Sequence, residues 1–407
     1  MKNLRSLIII GIICLLFGSN LQGQVRDAIT LAADRLVNNQ TVGGFWTDEE
    51  NFTGSIVAGL VGAYEIMGKT AYKTAAESGG SYIMSAAGGN YYGDEAYALT
   101  RLSDIATDPD DNAWRTEVAR FYKVIRMNEG GTAAYIDGFS AYKPCNAVFY
   151  MAHHVVAAYY VDATDKALWR WALIDYLSEV ADDYPGENFG LYPVLSLGVA
   201  TWALAKTGPL DPFIWVGSQP AKYPYWNGVT LADLPDLLLS HQVPEGDAYA
   251  GSFYWRFDHA KKDNPVSRGY TEDTVFPVLG LVAAAGREYT HEYDDAIIAA
   301  RDAMPIAVDD DPSGKVYPHI WQITEDPSKH YYAGESLHAL RAAIIKSDFD
   351  DDLDVDILDL YKFSLQWLNT GCAYPNWCGR ADFNFSGNVN LFDYVEFSRH
   401  WHGFVGI

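Results

Sequence analysis

The chain has 407 residues, among them 12 Trp, 28 Tyr and 18 Phe, and carries a formal net charge of -24 at pH 7. A hydrophobic content of 49% with 20% charged residues is typical of a globular chain with a full core. The negative charge argues against nucleic acid as a partner and disfavours a strongly anionic polymer as substrate, unless calcium bridges the two. The length allows one large domain and one small one.

The first 23 residues have the features of an export signal. Lys2 and Arg5 precede an apolar run at 7–17, and small and polar residues follow as far as Gly23. This run is too short to span a membrane. We therefore predict a signal peptide at 1–23, a secreted protein in an extracellular or periplasmic location, and no membrane association after cleavage.

Residues 24–346 contain segments with helical spacing of apolar residues and no convincing strand pattern. The segments form six pairs: 25–38 with 54–67, 70–87 with 94–106, 114–127 with 146–161, 165–182 with 191–206, 230–242 with 272–285, and 290–304 with 333–345. The first helix of a pair is amphipathic and charged, whereas the second is nearly apolar and must be buried. The pattern predicts an all-α fold, an (α/α)6 toroid of paired helices, with an open α-solenoid as the alternative.

A short motif adds a resemblance to this fold prediction. Residues 39–46, Asn-Gln-Thr-Val-Gly-Gly-Phe-Trp, resemble the Gln-to-Trp repeat motif of terpenoid-cyclase-like proteins. Toroids of this kind are also used by many glycoside hydrolases and polysaccharide lyases. The resemblance therefore implies the fold and leaves the chemistry open.

Loops rich in glycine, aromatic and acidic residues precede the second helices, and a toroid would open all these loops at one end. Aromatic faces stack on sugar rings, and a pair of carboxylates can perform acid–base chemistry on a glycosidic bond. The candidate catalytic residues are Asp94, Glu95, Glu272 and Asp273. The candidate substrate-binding residues are Trp46, Tyr91, Tyr92, Tyr254, Trp255, Arg256, His259, Tyr270, His330, Tyr331 and Glu335. For each acid at a helix start, the alternative role is a helix cap.

These residues lead to three functional hypotheses. The first is a secreted glycoside hydrolase that cleaves a polysaccharide with two carboxylates. The second is a polysaccharide lyase, in which Arg256 or Arg268 would neutralise a uronate and a Tyr or His would abstract the proton. The third is a non-catalytic toroid for glycan binding or assembly.

Two segments near the end of the chain, 348–359 and 382–393, carry oxygen-bearing side chains at positions 1, 3, 5, 7, 9 and 12. A twelve-residue loop wraps calcium with this spacing. An apolar, helix-like run follows each segment, and the tandem units resemble a type I dockerin. Leu353 replaces the turn glycine in the first loop, whereas the second keeps Gly387.

The dockerin resemblance implies an all-α module at 347–407 with two Ca²⁺ ions and a possible cohesin-type protein partner. Dockerins are attached to secreted enzymes that attack polysaccharides, so the toroid would be the cargo. The partner-reading positions, polar in many dockerins, are apolar at 357–358 and 391–392. The implied ligands are Asp348, Asp350, Asp352, Asp354, Asp356 and Asp359 in the first loop, and Asp382, Asn384, Ser386, Asn388, Asn390 and Asp393 in the second. Asp354 and Asn388 would contribute their carbonyl oxygens.

Two cysteines, Cys372 and Cys378, lie between the predicted calcium loops. An exported protein can hold a disulfide there, which would close the linker into a small ring. The alternative is two free thiols.

Overall fold

The computed structural model describes twelve stretches of the chain: 25–47, 52–182, 192–217, 224–247, 249–258, 271–288, 290–304, 309–310, 316–317, 330–349, 355–374 and 376–401. The predicted signal peptide lies outside these residues. The described residues form an α-helical structure, and the all-α prediction is confirmed. Strands β1 (Asp309–Asp310) and β2 (Val316–Tyr317) form one short antiparallel pair.

The helices follow the predicted pairs closely. They are α1 (25–39), α2 (Thr53–Met67), α3 (Thr70–Ala86), α4 (Gly93–Asp104), α5 (Ala113–Met127), α6 (Gly131–Asp137), α7 (Pro144–Tyr160), α8 (Lys166–Leu177), α9 (Pro193–Thr207), α10 (Leu234–Leu239), α11 (Thr271–Glu288), α12 (Asp294–Ala303), α13 (His330–Ala342), α14 (Ile357–Ser364) and α15 (Leu391–Arg399). Pro144 and Pro193 stand in the first turns of their helices, where the missing amide costs little.

Three differences between the predicted and the observed helices stand out. The predicted helix 230–242 is split into a 3₁₀ turn, Leu231–Asp233, and the short α10. Thr230 and Asp233 form a reciprocal cap at this turn, in which the Thr230 amide donates to the Asp233 carboxylate at 2.7 Å. Helix α8 ends at Leu177, before the predicted residue 182. Helix α6 lies in a stretch that we predicted as a loop.

The second helices of the six pairs contact one another in a cycle. Helix α2 packs on α4, α4 on α7, α7 on α9, α9 on α11, α11 on α13, and α13 packs back on α2. The other helices pack outside them: α3 contacts α2 and α4, α8 contacts α7 and α9, and α10 contacts α9 and α11. Helices α2 and α9 are buried nearly all round, as their apolar sequences require.

Small residues allow these inner helices to approach closely. A methyl group added at Gly59 of α2 would lie 2.1 Å from the carbonyl oxygen of Gly334 in α13. One added at Gly198 of α9 would lie 2.4 Å from the backbone nitrogen of Pro277 in α11. Glycine is required at both positions because backbone occupies the space that a side chain would need.

The inner helices run in the same direction around the cycle. Near their N-terminal ends, Ser55 of α2 donates a 3.3 Å hydrogen bond to Glu335 of α13. Near their C-terminal ends, Arg101 of α4 contacts Glu65 of α2 at 2.8 Å, and the Tyr160 hydroxyl of α7 contacts Ser103 of α4 at 2.9 Å. One end of the cycle therefore gathers helix N-termini, and the other gathers C-termini.

Helices α14 and α15 form a small C-terminal module. Phe363 and Phe397 pack together at a ring-centroid distance of 5.2 Å, and a disulfide joins Cys372 to Cys378. The module contacts the helical cycle at the turn between α2 and α3, because the Trp377 indole donates a 2.8 Å hydrogen bond to the carbonyl of Met67. Phe385 packs beside that bond, against Gly68.

Candidate functional site

Three buried carboxyl groups gather where the N-termini of α2, α4 and α13 meet. Asp94 and Glu95 lie in the first turn of α4 with exposed fractions of 3% and 8%, and Glu335 of α13 is 6% exposed. Gly54 of α2 lies directly against Asp94, since a methyl group there would approach the Asp94 carboxylate to 2.7 Å. Two sequence-predicted catalytic residues, Asp94 and Glu95, therefore share one buried site with the predicted binding residue Glu335.

Burial controls the ionisation of the two adjacent acids. Burial raises the pKa of Asp94 well above its ordinary value, and the amides of Ser55 and Glu95 only partly oppose this rise. Burial, with the neighbouring Asp94 charge, also raises the pKa of Glu95. Within the described part of the chain, Oδ1 of Asp94 is buried without a hydrogen-bond partner. A carboxyl group that stays protonated towards neutral pH can act as a general acid.

Glu95 also performs the structural role that we gave as the alternative. Its Oε2 accepts a 2.9 Å hydrogen bond from the Tyr92 amide, which caps the N-terminus of α4. Part of the hydrogen-bonding capacity of Glu95 therefore serves the helix.

Several predicted sugar-binding aromatics lie in the core. Trp46 is fully buried and donates to the Leu36 carbonyl at 2.8 Å. Tyr91 is 1% exposed and donates to Glu117 at 2.6 Å, and Trp255 packs on Tyr192 with their rings 4.4 Å apart. As these side chains stand, Trp46 and Tyr91 present no face on which a sugar ring could stack.

Other predicted residues stand at or near the surface around the acids. Tyr92 is 44% exposed and lies 5.6 Å from the ring of Tyr150. Tyr331 stacks on the exposed Phe52 at 4.5 Å. His330, by contrast, is buried at the first position of α13.

The remaining predicted residues belong to the segment before α11. Trp255 accepts the Val194 amide at the start of α9, at 3.2 Å, so this segment lies at the same end of the cycle as the acids. Tyr254 and Arg256, its neighbours, are partly buried. His259, Arg268 and Tyr270 lie outside the described residues, as do the side chains of Glu272 and Asp273 in the first turn of α11.

An aromatic groove of about 460 Å³ runs beside the acid cluster. Tyr92 forms one side of it, and Tyr135, Phe139 and Tyr142, which follow or belong to α6, form the other. Tyr142 is 42% exposed. Our candidate set did not include these three residues, although the aromatic spacing from 135 to 142 was a signal that could have indicated them.

The second predicted calcium loop brings oxygen atoms of three of its implied ligands, Asp382, Ser386 and Asn388, close together. The Asp382 and Asp393 side chains are fully buried, and Asp382 accepts the amides of Ser386 at 2.9 Å and Gly387 at 2.7 Å. The Ser386 hydroxyl lies 3.2 Å from the Asn388 carbonyl oxygen and 3.5 Å from Oδ1 of Asp382. Oxygen atoms at such separations can share one calcium ion at 2.3–2.6 Å, so these residues fit the ion.

Several other residues of the two loops accept backbone amides within the loops or at the starts of α14 and α15. Asp356 and Asn390 cap α14 and α15 by accepting the amides of Leu358 and Phe392, while Asn384 accepts the Ser386 amide at 3.0 Å. Asp359 accepts the amides of Phe349 and Asp356, and Asp348 is buried. Asp350, Asp352 and Asp354 lie outside the described residues.

The described residues contain no group of three or more His, Cys, Asp or Glu side chains arranged to hold a metal ion. This observation does not bear on the second loop, because its implied ligands include amide, hydroxyl and carbonyl oxygens.

The C-terminal module exposes an apolar face at the starts of both helices. Ile357 and Leu358 of α14 are 64% and 55% exposed, and Leu391 and Phe392 of α15 are 65% and 76% exposed. The two pairs occupy equivalent positions, 10 and 11, of the two twelve-residue segments. An apolar surface of this kind typically marks a protein interaction site.

Comparison of the chain with known protein families, with curated proteins and with solved structures returned no match. In the part of the chain that the structure describes, no helix has the length and apolar character needed to cross a membrane.

Proposed function

We propose that this is a secreted carbohydrate-active protein made of an (α/α)6 toroid and a dockerin-like module. The cyclic contacts of the six parallel inner helices support the toroid over the open solenoid, because in a solenoid the first and last helix pairs would be far apart. The tandem loop–helix units support the dockerin-like module.

We propose that the toroid is a glycoside hydrolase and that Asp94 is its general acid. The observation that carries this proposal is a buried carboxyl group with a raised pKa, two positions from Tyr92 in an exposed aromatic groove. The groove would hold the sugar by stacking, and Asp94 would protonate the glycosidic oxygen. Glu95, Glu272 or Asp273 would serve as the second carboxylate.

The test uses the full chain with neutral and uronate polysaccharides. New reducing ends and the ultraviolet absorbance of unsaturated uronates are followed together. We expect reducing ends without absorbance, and at least a hundredfold loss of rate in Asp94→Asn with substrate binding retained. Asp110→Asn, at an exposed loop position, is the matched control and should keep full activity.

A rise in both signals would identify a lyase and refute the role of Asp94. Equal rates for Asp94→Asn and Asp110→Asn would also refute it.

A second candidate, the non-catalytic glycan-binding toroid, is favoured by the cap that Glu95 provides and by the burial of Trp46 and Tyr91. It predicts binding to a polysaccharide without any product. Tyr142→Ala should then weaken binding while Asp94→Asn leaves it unchanged.

For the C-terminal module, we propose two bound Ca²⁺ ions and a cohesin-type protein partner. The second ion would be held by Asp382, Asn384, Ser386, Asn388, Asn390 and Asp393. Calcium would fix the loops, and the exposed apolar face would dock the partner. Calorimetry with a purified cohesin domain should detect binding that EGTA abolishes and that Phe392→Asp weakens. Binding that survives both changes would contradict this proposal.

A further inference from the structure

A pocket of about 330 Å³ lies at the opposite end of the cycle from the acid cluster. Its wall comes from the last turns of α4, α9 and α13, through Arg101, Lys206 and Arg341, and from Lys346 just after α13. In the C-terminal module, Glu396 of α15 and His400, just after that helix, complete the rim. Both parts of the protein therefore build this pocket.

The pocket is basic although the protein is strongly acidic. Four cationic side chains face it, and the nearby carboxylates are Glu65, Asp104 and Glu396. Glu65 is shared, since the guanidinium groups of Arg101 and Arg341 both contact it at 2.8 Å. Burial alone would raise the pKa of Glu65, but the two guanidinium groups hold this pKa at about 2. The Glu65 carboxylate is therefore ionised and paired with both arginines.

The two lysines experience this excess of positive charge. Enclosure by protein, the larger cause, and the neighbouring arginines lower the pKa of Lys346 to about 8 and lower that of Lys206 as well. Lys206 nevertheless keeps an exposed side chain, so water in the pocket reaches it and moderates the effect of enclosure. Lys206 is therefore the cationic group that a ligand anion would reach first from solvent.

The inner wall of the pocket is aromatic. The rings of Tyr97 and Trp202 meet edge to face at 5.1 Å, and the Tyr97 hydroxyl lies 2.7 Å from Nε2 of His338. Tyr97 and Trp202 line the pocket next to the cationic groups, but at 7% and 2% exposed they do not present a whole ring face to it. The pocket therefore combines positive charge with an aromatic wall.

Basic residues in last turns also offset the negative end of the helix dipole, which gives them a structural role without any ligand. That role does not account for the whole arrangement. Lys346 follows α13 rather than belonging to it, and Nε of Arg101 is buried without a hydrogen-bond partner among the described residues. Charge compensation also does not require a solvent-filled pocket.

We propose that this pocket is a second ligand site, separate from the acid cluster, and that it binds a small organic carboxylate. The carboxylate would lie between Lys206 and Lys346, because the guanidinium group of Arg101 is already paired with Glu65 and Asp104. Because α15 forms part of the rim, ligand binding and the position of the C-terminal module are linked.

The experiment is titration calorimetry on the full chain with glucuronate, benzoate and citrate, and with glucose as a neutral match for glucuronate. We expect at least one carboxylate to bind and glucose not to bind. Lys206→Met and Lys346→Met should each weaken carboxylate binding about tenfold, the loss of one charge-assisted contact. Lys123→Met, which removes an exposed lysine from α5, is the matched control and should bind as the unchanged chain does.

Three results would overturn the proposal: no binding of any of the three carboxylates, equal binding of glucose and glucuronate, or the same affinity in Lys206→Met, Lys346→Met and Lys123→Met. Thermal unfolding of each variant verifies that it is folded. Two lysine variants are used so that a folding failure in one still leaves a decisive test.

Discussion

Replacement of Gly59 by alanine should open the junction between α2 and α13, the first and last inner helices. The added methyl group would lie 2.1 Å from the Gly334 carbonyl oxygen and 2.6 Å from its Cα. These are backbone atoms of a helix, so they cannot rotate away as a side chain could. The two helices must therefore move apart.

The size of the effect follows from that distance. Ordinary contact begins at 3.4 Å, so the helices must separate locally by about 1.3 Å. Gaps of this size forfeit much of the dispersion energy of the atoms around them. Overpacking of this severity costs about 3 kcal/mol. Alanine is a better helix former than glycine by about 1 kcal/mol, so the net loss of unfolding free energy is about 2 kcal/mol.

Urea unfolding, followed by circular dichroism, measures this loss. Gly138→Ala is the matched control, because no atom lies within 4 Å of its added methyl group and its φ of -58° suits any residue. We expect the control to change stability by less than about 0.5 kcal/mol. If Gly59→Ala were as stable as Gly138→Ala, the close contact between α2 and α13, and the cycle that depends on it, would be refuted.

Three further predictions concern the acids and the C-terminal module. Asp94→Asn should raise the melting temperature at pH 8 but not at pH 3. Burial raises the pKa of this carboxyl above its ordinary value of 3.8, so the cost of ionising it is absent below the ordinary pKa and present once pH exceeds the raised one. An equal shift at both pH values would contradict this cause. Phe385→Ala should lower the unfolding free energy by about 2 kcal/mol, roughly half the cost for a fully buried phenylalanine, because Phe385 packs on Gly68. Phe392→Ala, at an exposed position, should change the unfolding free energy little. Equal effects of the two variants in denaturant titrations would argue against the packing of Phe385 on Gly68. Asp382→Ala should reduce the calcium bound per chain from two ions to one in calorimetry, and an unchanged count would exclude the second loop as a site.

The sequence predicted the helical part of this structure well where the apolar pattern extended over several turns. Helices α2 and α9 are apolar on every face, and that feature alone indicated that they are buried. Helix α6 has only seven residues and begins at Gly131, directly after Gly130, so its pattern was too short to separate it from a loop. Local capping by Thr230 and Asp233 shortened α10, an effect that periodicity does not reveal.

The functional residues were less predictable than the helices. A local pattern of aromatic and acidic residues led to Asp94 and Glu95, which the structure brings together. The same pattern could not separate a surface aromatic such as Tyr92 from a core aromatic such as Trp46, because their burial depends on helices distant in the sequence. The basic pocket had no local signal, since Arg101 and Lys206 lie on different helices that are distant in the sequence.

Trp377 and Phe385 contact the turn at Met67 and Gly68, and this contact affects the distance and the direction between the acid cluster and a partner bound to the C-terminal module. The apolar face at Phe392 belongs to a module that rests on the helical cycle. A partner that holds this face would then hold the acid cluster at a set distance and in a set direction. A long flexible connection would let the cluster search a volume that grows with linker length. Because the module rests on the helical cycle, the acid cluster would face one direction relative to the bound partner, and the substrate would have to approach from that direction.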